Sequence, residues 1–245
     1  MRSRFSPARL AAFELFFRPW RRRRIHATRI AGLPRELPRL PLVLVANHVS
    51  WWDGFTLREV HRLLRPRAPV WTLMSEGELR RSPFLRSIGG FGIDPGHPAS
   101  VRGALRFLRA RAAERPDATV ILFPQGRIWP AHRRPLGFRR GVEGFARAVS
   151  PCVVLPVAIH HEPLTAAAPT VFVSAGEPLG VGDGERLDAS MLECAVEAES
   201  DRILDFLSLH GEDSPRHWPD PFGRLDVPAP TRRADVPLSI PIYSP

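Results

Sequence analysis

The sequence predicts an α/β fold, in which a single domain is built on a mixed, mostly parallel sheet covered by helices. Short apolar runs such as those at 41–46, 118–124 and 152–159 are typical of strands buried on both faces of a sheet. Segments with helical periodicity separate these runs, and alternating strands and helices favour parallel pairing. A length of 245 residues fits one large domain of this kind with appended ends.

The individual elements follow from apolar patterning and from the turn signals between them. Strands are predicted at 41–46, 70–75, 88–94, 118–124, 152–159 and 170–176. Helices are predicted at 55–65, 101–114, 137–150 and 186–209. Ser100 is placed to cap the second of these helices. We expect three segments: a membrane-proximal stretch at 1–30, the main domain at 31–210 and an extension at 211–245.

The N-terminal segment has the pattern of an amphipathic helix at 8–20, with aromatic side chains at helical spacing. Arginines follow at 21–24, and aromatic rings beside a cationic cluster are typical of a helix lying at a lipid surface. A helix docked on the domain's own core is the alternative. Because Glu14 interrupts the apolar stretch, we expect neither a signal peptide nor a spanning helix. We expect a peripheral protein on the cytoplasmic side of the cell membrane.

The C-terminal extension from Gly211 onward is rich in proline. Its prolines stand at positions 215, 219, 221, 228, 230, 237, 241 and 245. Proline removes a backbone donor and fixes φ, so this composition predicts no regular structure. We expect a tail that either extends loosely or wraps the domain as an irregular strap.

The net charge of +10 comes from arginine alone, since the sequence contains no lysine. This balance favours an anionic partner: a lipid surface, an acidic thioester carrier or a nucleic acid. We expect no nucleic-acid partner, because no nucleic-acid-binding motif is present. We also expect no metal, because adjacent residues such as His160 and His161 point apart on a strand and no cluster has ligand spacing. The oligomeric state is left open.

The first candidate site runs from Asn47 to Asp53, directly after the buried strand at 41–46. Sites in α/β folds are built at the carboxyl ends of strands. If the residues between them form a turn, His48 and Asp53 can meet, and an imidazole held by a carboxylate is a general base for a hydroxyl. The structural alternative is that Asp53 caps the next helix, with Ser50 completing a capping box.

A second candidate site also follows a buried strand. It consists of Phe123, Pro124, Gln125, Gly126 and Arg127. A glycine followed by an arginine at a strand end lets backbone N–H groups and a guanidinium approach an anion. This pattern is not specific by itself, since Pro-x-Gly is also ordinary turn chemistry.

In order and context, the two segments resemble the blocks of the phospholipid/glycerol acyltransferase family. The first block of that family, Asn-His-x-x-x-x-Asp, is met by Asn47, His48 and Asp53. The third block, Phe-Pro-Glu-Gly-Thr-Arg, is resembled by residues 123–127.

Two further blocks extend the resemblance. The family's second block, a glycine-rich strand ending in Ile-Asp-Arg, is resembled by residues 89–94. Its fourth block, an apolar strand with a central proline, is similar to residues 153–157. The resemblance therefore covers residues 40–160 in the right order.

The resemblance implies an acyltransferase that works without a metal, a cofactor or an acyl-enzyme. His48 is implied to take the proton of an acceptor hydroxyl as it attacks the thioester of acyl-CoA or acyl carrier protein. Asp53 is implied to orient the imidazole. Asn47 and residues 123–127 are implied to contact the substrates, and the acceptor is expected to be a lysophospholipid or a related lipid.

Departures from the family pattern concern the acceptor. Gln125 stands where Glu is usual, the Thr is missing so that Arg127 comes one residue early, and Pro95 stands where an Arg usually follows. In the family the Arg and Thr help to hold the acceptor's phosphate. One alternative is therefore a lipid acceptor without phosphate, such as an amino-acyl lipid, a glycolipid or a carotenoid glycoside. Another is a non-catalytic, basic lipid-binding protein, which the intact His48–Asp53 pair disfavours.

Overall fold

The computed structural model describes residues 7–227, apart from the side chains of residues 7–12, 14 and 16. The strands are β1 (Ala27–Ala31), β2 (Leu42–Ala46), β3 (Val70–Ser75), β4 (Gly90–Ile93), β5 (Thr119–Leu122), β6 (Cys152–Glu162), β7 (Thr170–Ala175) and β8 (Leu179–Val181). The α-helices are α1 (Pro7–Arg22), α2 (Asp53–Leu64), α3 (Glu76–Arg81), α4 (Pro98–Glu114), α5 (Gly141–Ala148), α6 (Ala189–His210) and α7 (Ser214–His217). Two 3-10 helices span Pro83–Ile88 and Gly211–Asp213.

The strands form one eight-stranded sheet in the order β1-β7-β6-β2-β5-β3-β4, with β8 paired to the start of β6. β6 runs antiparallel to β7 and β8. The other pairs are parallel. The predicted single α/β domain with a mixed, mostly parallel sheet is therefore confirmed. β2 lies between β5 and β6, so the strands that precede the two candidate sites are direct neighbours.

β2 is apolar throughout because both of its faces are covered. Val43 and Val45 join the core cluster that includes residues of α4 and α5. Leu42 and Leu44 point the other way and join the cluster that includes residues of α2. Fully burying side chains of this size stabilises the fold by about 1.5–3 kcal/mol each. This double burial fixes the strand end that leads into the first candidate site.

Some helix starts differ from the predicted ones because side chains have other partners. α2 begins at Asp53, earlier than predicted. α4 begins at Pro98, so Ser100 lies inside the helix and does not cap it. The Ser100 hydroxyl instead donates to Glu76 and accepts the backbone N–H of Asp94. The short elements β1, α3 and β8 were not predicted, and β1 lies across the predicted boundary between residues 30 and 31.

The C-terminal extension follows the domain surface as a strap. The prediction of no regular structure is wrong for residues 211–217, which form a 3-10 turn and α7. Trp218 is buried, and the backbone N–H of Gly32 donates to the Gly223 carbonyl at 2.8 Å. Gly32 directly follows β1, so the tail provides a hydrogen-bond partner for the backbone at the end of that strand. The predicted extension at 228–245 lies outside the described residues.

Helix α1 is docked on the domain through aromatic side chains. Phe17 is buried, and its ring centroid lies 4.2 Å from that of Phe55 in α2. Arg21 forms an ion pair with Glu59 at 2.7 Å. The prediction of a helix docked on the domain's core is confirmed for the face that carries Phe17 and Arg21. Leu15, in contrast, is 78% exposed. Within the described residues, no helix is both long enough and apolar enough to cross a bilayer.

Candidate active site

Strands β2 and β5 end side by side, so the residues that follow them meet at one edge of the sheet. Val45 pairs with Leu122 in parallel register. Beyond this pair, the rings of His48 and Phe123 stack with their centroids 4.3 Å apart. Both side chains and Arg127 line the same cleft. The predicted placement of His48 and Arg127 at one edge is confirmed.

The centre of the site is the pair of His48 and Asp53. His48 Nδ1 lies 2.9 Å from Asp53 Oδ2. The Asp53 side chain is completely buried, whereas that of His48 is 22% exposed and lines the cleft. Because Nδ1 faces the carboxylate, Nε2 is the ring nitrogen left for a substrate. This is the arrangement that a general base requires.

The turn between the two residues curls around the Asp53 carboxylate. Oδ2 also accepts the backbone N–H groups of Val49 at 2.6 Å and Ser50 at 2.8 Å. Burial raises the pKa of the Asp53 carboxyl, but hydrogen bonds and charge from His161 and His48 outweigh burial and bring that pKa below its ordinary value. Asp53 is therefore ionised at neutral pH and can stabilise an imidazolium.

Asp53 does not serve as the cap of α2. The N-cap is Trp52, and no side chain makes a capping hydrogen bond to this helix. The Ser50 hydroxyl accepts the Trp52 N–H, and the Asp53 carboxylate faces back into the preceding turn. A capping side chain would instead accept an N–H from the first helical turn. Asp53 is therefore not the N-cap, but its bond to the Ser50 N–H and the bond of the Ser50 hydroxyl to the Trp52 N–H are the reciprocal contacts of a capping box at the entrance to α2. The same carboxylate is also directed at the imidazole.

A second histidine, which the sequence did not identify as part of the site, contacts the same carboxylate. His161 Nε2 lies 3.0 Å from Asp53 Oδ1. His161 stands on the part of β6 that pairs with β7 beyond the end of β2. The neighbouring His160 pairs with Glu162 at 2.8 Å. The only signal in the sequence was the adjacent pair of histidines just after an apolar run.

Asn47 and Gln125, both predicted to contact substrate, are buried and bonded to the backbone. The Asn47 amide makes hydrogen bonds with both the N–H and the C=O of Ile159. Gln125 Oε1 accepts the His48 N–H at 2.6 Å, and Gln125 Nε2 donates to the Leu136 carbonyl at 2.9 Å. Neither side chain is part of the cleft lining. The two amides hold the backbone around His48, and neither lines the cleft.

The cleft in front of His48 has a volume of about 550 Å³ and a largely apolar wall. Aliphatic and aromatic side chains from several elements form this wall: Leu73, Met74, Leu85, Ile88, Ile93, Val101, Leu122, Val142 and Phe145. Phe123, Pro124, Gly126 and Arg127 line the cleft as predicted. The size and composition suit a mostly apolar ligand with a few polar groups.

Arginines give one side of the cleft a positive charge. Arg127 and Arg139 both line it. The guanidinium of Arg127 lies 3.8 Å from the centre of the Trp129 ring, and the Trp129 backbone N–H donates to the His48 carbonyl at 2.9 Å. Gly126 has φ +69°, and a Cβ there would come within 3.2 Å of the Arg139 guanidinium. The loop after β5 thus brings two cations to the cleft that His48 lines.

No metal centre is formed by the histidines, cysteines and carboxylates that the structure describes. His160 and His161, adjacent in sequence, bind different carboxylates, as expected for side chains that alternate on a strand. His48 and His161 instead share the Asp53 carboxylate, one imidazole on each oxygen.

The fold and the site define an α/β protein in which a histidine, held by a buried carboxylate at the end of a central strand, faces an apolar cleft. More particularly, residues 28–160 match the family model described as Acyltransferase. The match spans more than half of the 245 residues, and the chain belongs to the phospholipid/glycerol acyltransferase family. The protein is an acyltransferase. Residues 47–53 and 123–127 both lie inside the matched region.

Proposed function

We propose that this acyltransferase moves a fatty acyl group from a thioester, acyl-CoA or acyl carrier protein, to a hydroxyl of a lysophospholipid or a related lipid. The observation that carries this proposal is the 2.9 Å contact between His48 Nδ1 and Asp53 Oδ2, beside an apolar cleft that His48 lines. A histidine so oriented can activate a hydroxyl by itself, so the proposed reaction uses no resident cofactor.

The proposed chemistry has two steps. The acceptor oxygen attacks the thioester carbonyl carbon while His48 Nε2 takes the hydroxyl proton, and Asp53 stabilises the imidazolium that forms. The tetrahedral intermediate then collapses as the carbon–sulfur bond breaks. The departing thiolate recovers the proton from His48, so the products are an ester and a free thiol.

The apolar wall of the cleft supports a fatty acyl chain as the transferred group. Leu85 and Ile88 of the first 3-10 helix, together with Val142 and Phe145 of α5, present aliphatic and aromatic surface there. Burying a methylene contributes about 0.8 kcal/mol, so a chain of several carbons gains substantial binding free energy in such a wall. We therefore place the acyl chain along these side chains.

The presence of Arg127 and Arg139 favours a substrate that carries an anionic group. Both line the cleft close to His48, and charge-assisted hydrogen bonds to phosphate are stronger than neutral ones. The phosphate can belong to the donor or to the acceptor. Replacing Arg139 with Gln should raise KM for whichever substrate carries it, and measuring KM for each substrate at saturation with the other distinguishes the two sources.

An acceptor without phosphate is the second candidate, and the position of Pro95 favours it. Pro95 lines the cleft, and it stands where the family usually has an Arg. A proline side chain offers no hydrogen bond to an anion. A lipid whose headgroup is uncharged at this point, for example a glycolipid, fits that wall better than a lysophosphatidate does.

We also propose that the protein attaches peripherally to the cytoplasmic side of the cell membrane, near α1. Leu15, Trp20 and Trp51 are 78%, 39% and 40% exposed, and the Trp20 and Trp51 rings lie 5.7 Å apart. Trp51 also lines the cleft. Arginines at 22–24 are exposed next to this aromatic surface. Aromatic rings beside cations suit the headgroup region of an anionic bilayer.

Lipid mass spectrometry of cells tests the proposed function. Cells that lack the protein should accumulate a lyso-lipid or an unacylated lipid, and the wild-type gene should restore the acylated product. The His48→Ala gene should not restore it, although the variant protein is made at a similar level. Restoration by His48→Ala would favour the non-catalytic lipid-binding role and contradict acyl transfer.

A further inference from the structure

The Asp53 carboxylate is held by two imidazoles, one on each oxygen. His48 contacts Oδ2 at 2.9 Å, and His161 contacts Oδ1 at 3.0 Å. The Asp53 side chain has no exposed surface, and that of His161 is 16% exposed. In so buried a place the second oxygen needs a donor, because an unpaired buried carboxylate oxygen is costly.

His161 comes from a different part of the fold than the pair it contacts. It lies on β6, opposite Val171 of β7, and it is 108 residues from Asp53 in sequence. The match to the family ends at residue 160, one residue before it. Its contact with Asp53 depends on the register of β6. His161 lies outside the region that matches the family model.

We propose that His161 is a positioning residue for acyl transfer, acting through Asp53 on His48; the proposal rests on the function proposed above. A donor on Oδ1 prevents the carboxylate from rotating, so Oδ2 keeps its place against the His48 ring. The His48 ring is thereby held in the orientation that leaves Nε2 for the substrate.

A loss of orientation affects the rate more than binding. If the Asp53 carboxylate can rotate, the His48 ring reaches the reactive geometry less often, so kcat falls while KM changes little.

The experiment uses the full-length protein with His161→Phe, His161→Gln and, as a matched control, His160→Phe. Gln can donate an N–H from nearly the place of Nε2, whereas Phe keeps the ring and donates nothing. His160 is the neighbouring histidine that pairs with Glu162, so its replacement tests the general cost of losing a histidine here. The NMR signal of the His48 Nδ1 proton reports its hydrogen bond to Asp53, and thiol release gives kcat and KM.

His161→Phe should shift or broaden the NMR signal of the His48 Nδ1 proton, because the carboxylate is no longer fixed at both oxygens. Its kcat should fall about tenfold through loss of orientation, with a smaller change in KM. His161→Gln should recover most of kcat, and His160→Phe should leave the His48 signal unchanged. An unchanged His48 signal in His161→Phe, or an equal change in His160→Phe, would overturn the proposal.

The NMR signal does not depend on turnover, so the two proposals fail separately. If wild-type protein releases no thiol but the His48 signal changes in His161→Phe as expected, the proposed function fails while the coupling through Asp53 stands. If the wild-type protein is active and the His48 signal does not change, the coupling fails while acyl transfer stands.

Discussion

The side-chain amide of Asn47 is bonded at both ends to the backbone of a single residue, Ile159. Its Nδ2 donates to the Ile159 carbonyl at 2.9 Å, and its Oδ1 accepts the Ile159 N–H at 2.8 Å. The last backbone pair between these strands joins Ala46 and Val157. Asn47 thus continues the hydrogen bonding between β2 and β6 after β2 has ended. Because Asn47 directly precedes His48, these bonds also fix the backbone next to His48.

Asn47→Ala should therefore destabilise the protein rather than weaken substrate binding alone. Removal of the amide leaves a buried N–H and C=O without partners, at a cost of about 2–4 kcal/mol in the free energy of unfolding. Denaturant unfolding followed by circular dichroism measures this cost. Asp183→Ala, at an exposed turn position, is a suitable control. A loss below about 0.5 kcal/mol, within the range of ordinary surface changes, would contradict this role for Asn47.

The sheet and the contact between His48 and Asp53 were predictable because they depend on local patterns. Apolar runs long enough to be strands stood directly before both His48 and Phe123, and parallel strands bring their carboxyl ends to one edge. The roles of Asn47 and Gln125 were not predictable, since a position in a motif does not tell which way a side chain points. His161 escaped notice because its contact depends on how far β6 extends past β2, which only the sheet register fixes.

The cleft wall predicts a variant with altered acyl-chain preference. Gly141 lines the cleft, and a Cβ built there meets no atom within 4 Å. Gly141→Leu should therefore fold normally and shorten the longest acyl chain accepted, because its side chain takes up cleft volume. A series of acyl thioesters of increasing length, assayed for thiol release, measures the effect.

Gly103→Leu is the control for this experiment. A Cβ at Gly103 is also unobstructed, but Gly103 lies within α4 and outside the cleft lining. Its chain-length profile should match that of the wild type. Identical profiles for Gly141→Leu and the wild type would show that the acyl chain does not run past α5.

Membrane attachment should depend on exposed side chains around α1. Removing the whole helix is a poor test, because Phe17 is part of the core against Phe55. Leu15→Glu is better, since Leu15 is 78% exposed. It should reduce flotation with anionic vesicles several-fold, and raised salt should weaken flotation of the wild type. Leu209→Glu, at a site 57% exposed near the end of α6, should float like the wild type. Equal, salt-insensitive flotation of all three proteins would contradict attachment through this surface.

The acceptor should be a lipid other than simple lysophosphatidate. Pro95 offers no donor where the family usually has an Arg, and a charge-assisted contact to phosphate is worth about 1.5–3 kcal/mol. Its loss predicts a kcat/KM for 1-acylglycerol-3-phosphate roughly 10–100-fold below that for the best uncharged acceptor. Paired assays with 1-acylglycerol-3-phosphate and 1-acylglycerol of the same chain length measure the ratio. Preference for the phosphate-bearing lipid would contradict this prediction and would indicate that Arg127 and Arg139 bind the acceptor's phosphate.

The central claim is that His48, oriented by Asp53, is the general base of acyl transfer. The most direct measurement is thiol release from an acyl thioester by purified wild-type, His48→Ala and Asp53→Asn proteins, with a thermal melt of each. His132→Ala, at an exposed loop histidine, is the control. His48→Ala should lose about 10²–10⁴-fold in kcat while still melting cooperatively. Asp53→Asn should lose nearly as much, because an amide supports the wrong tautomer and cannot stabilise imidazolium. Near-wild-type thiol release by a folded His48→Ala protein would contradict the claim.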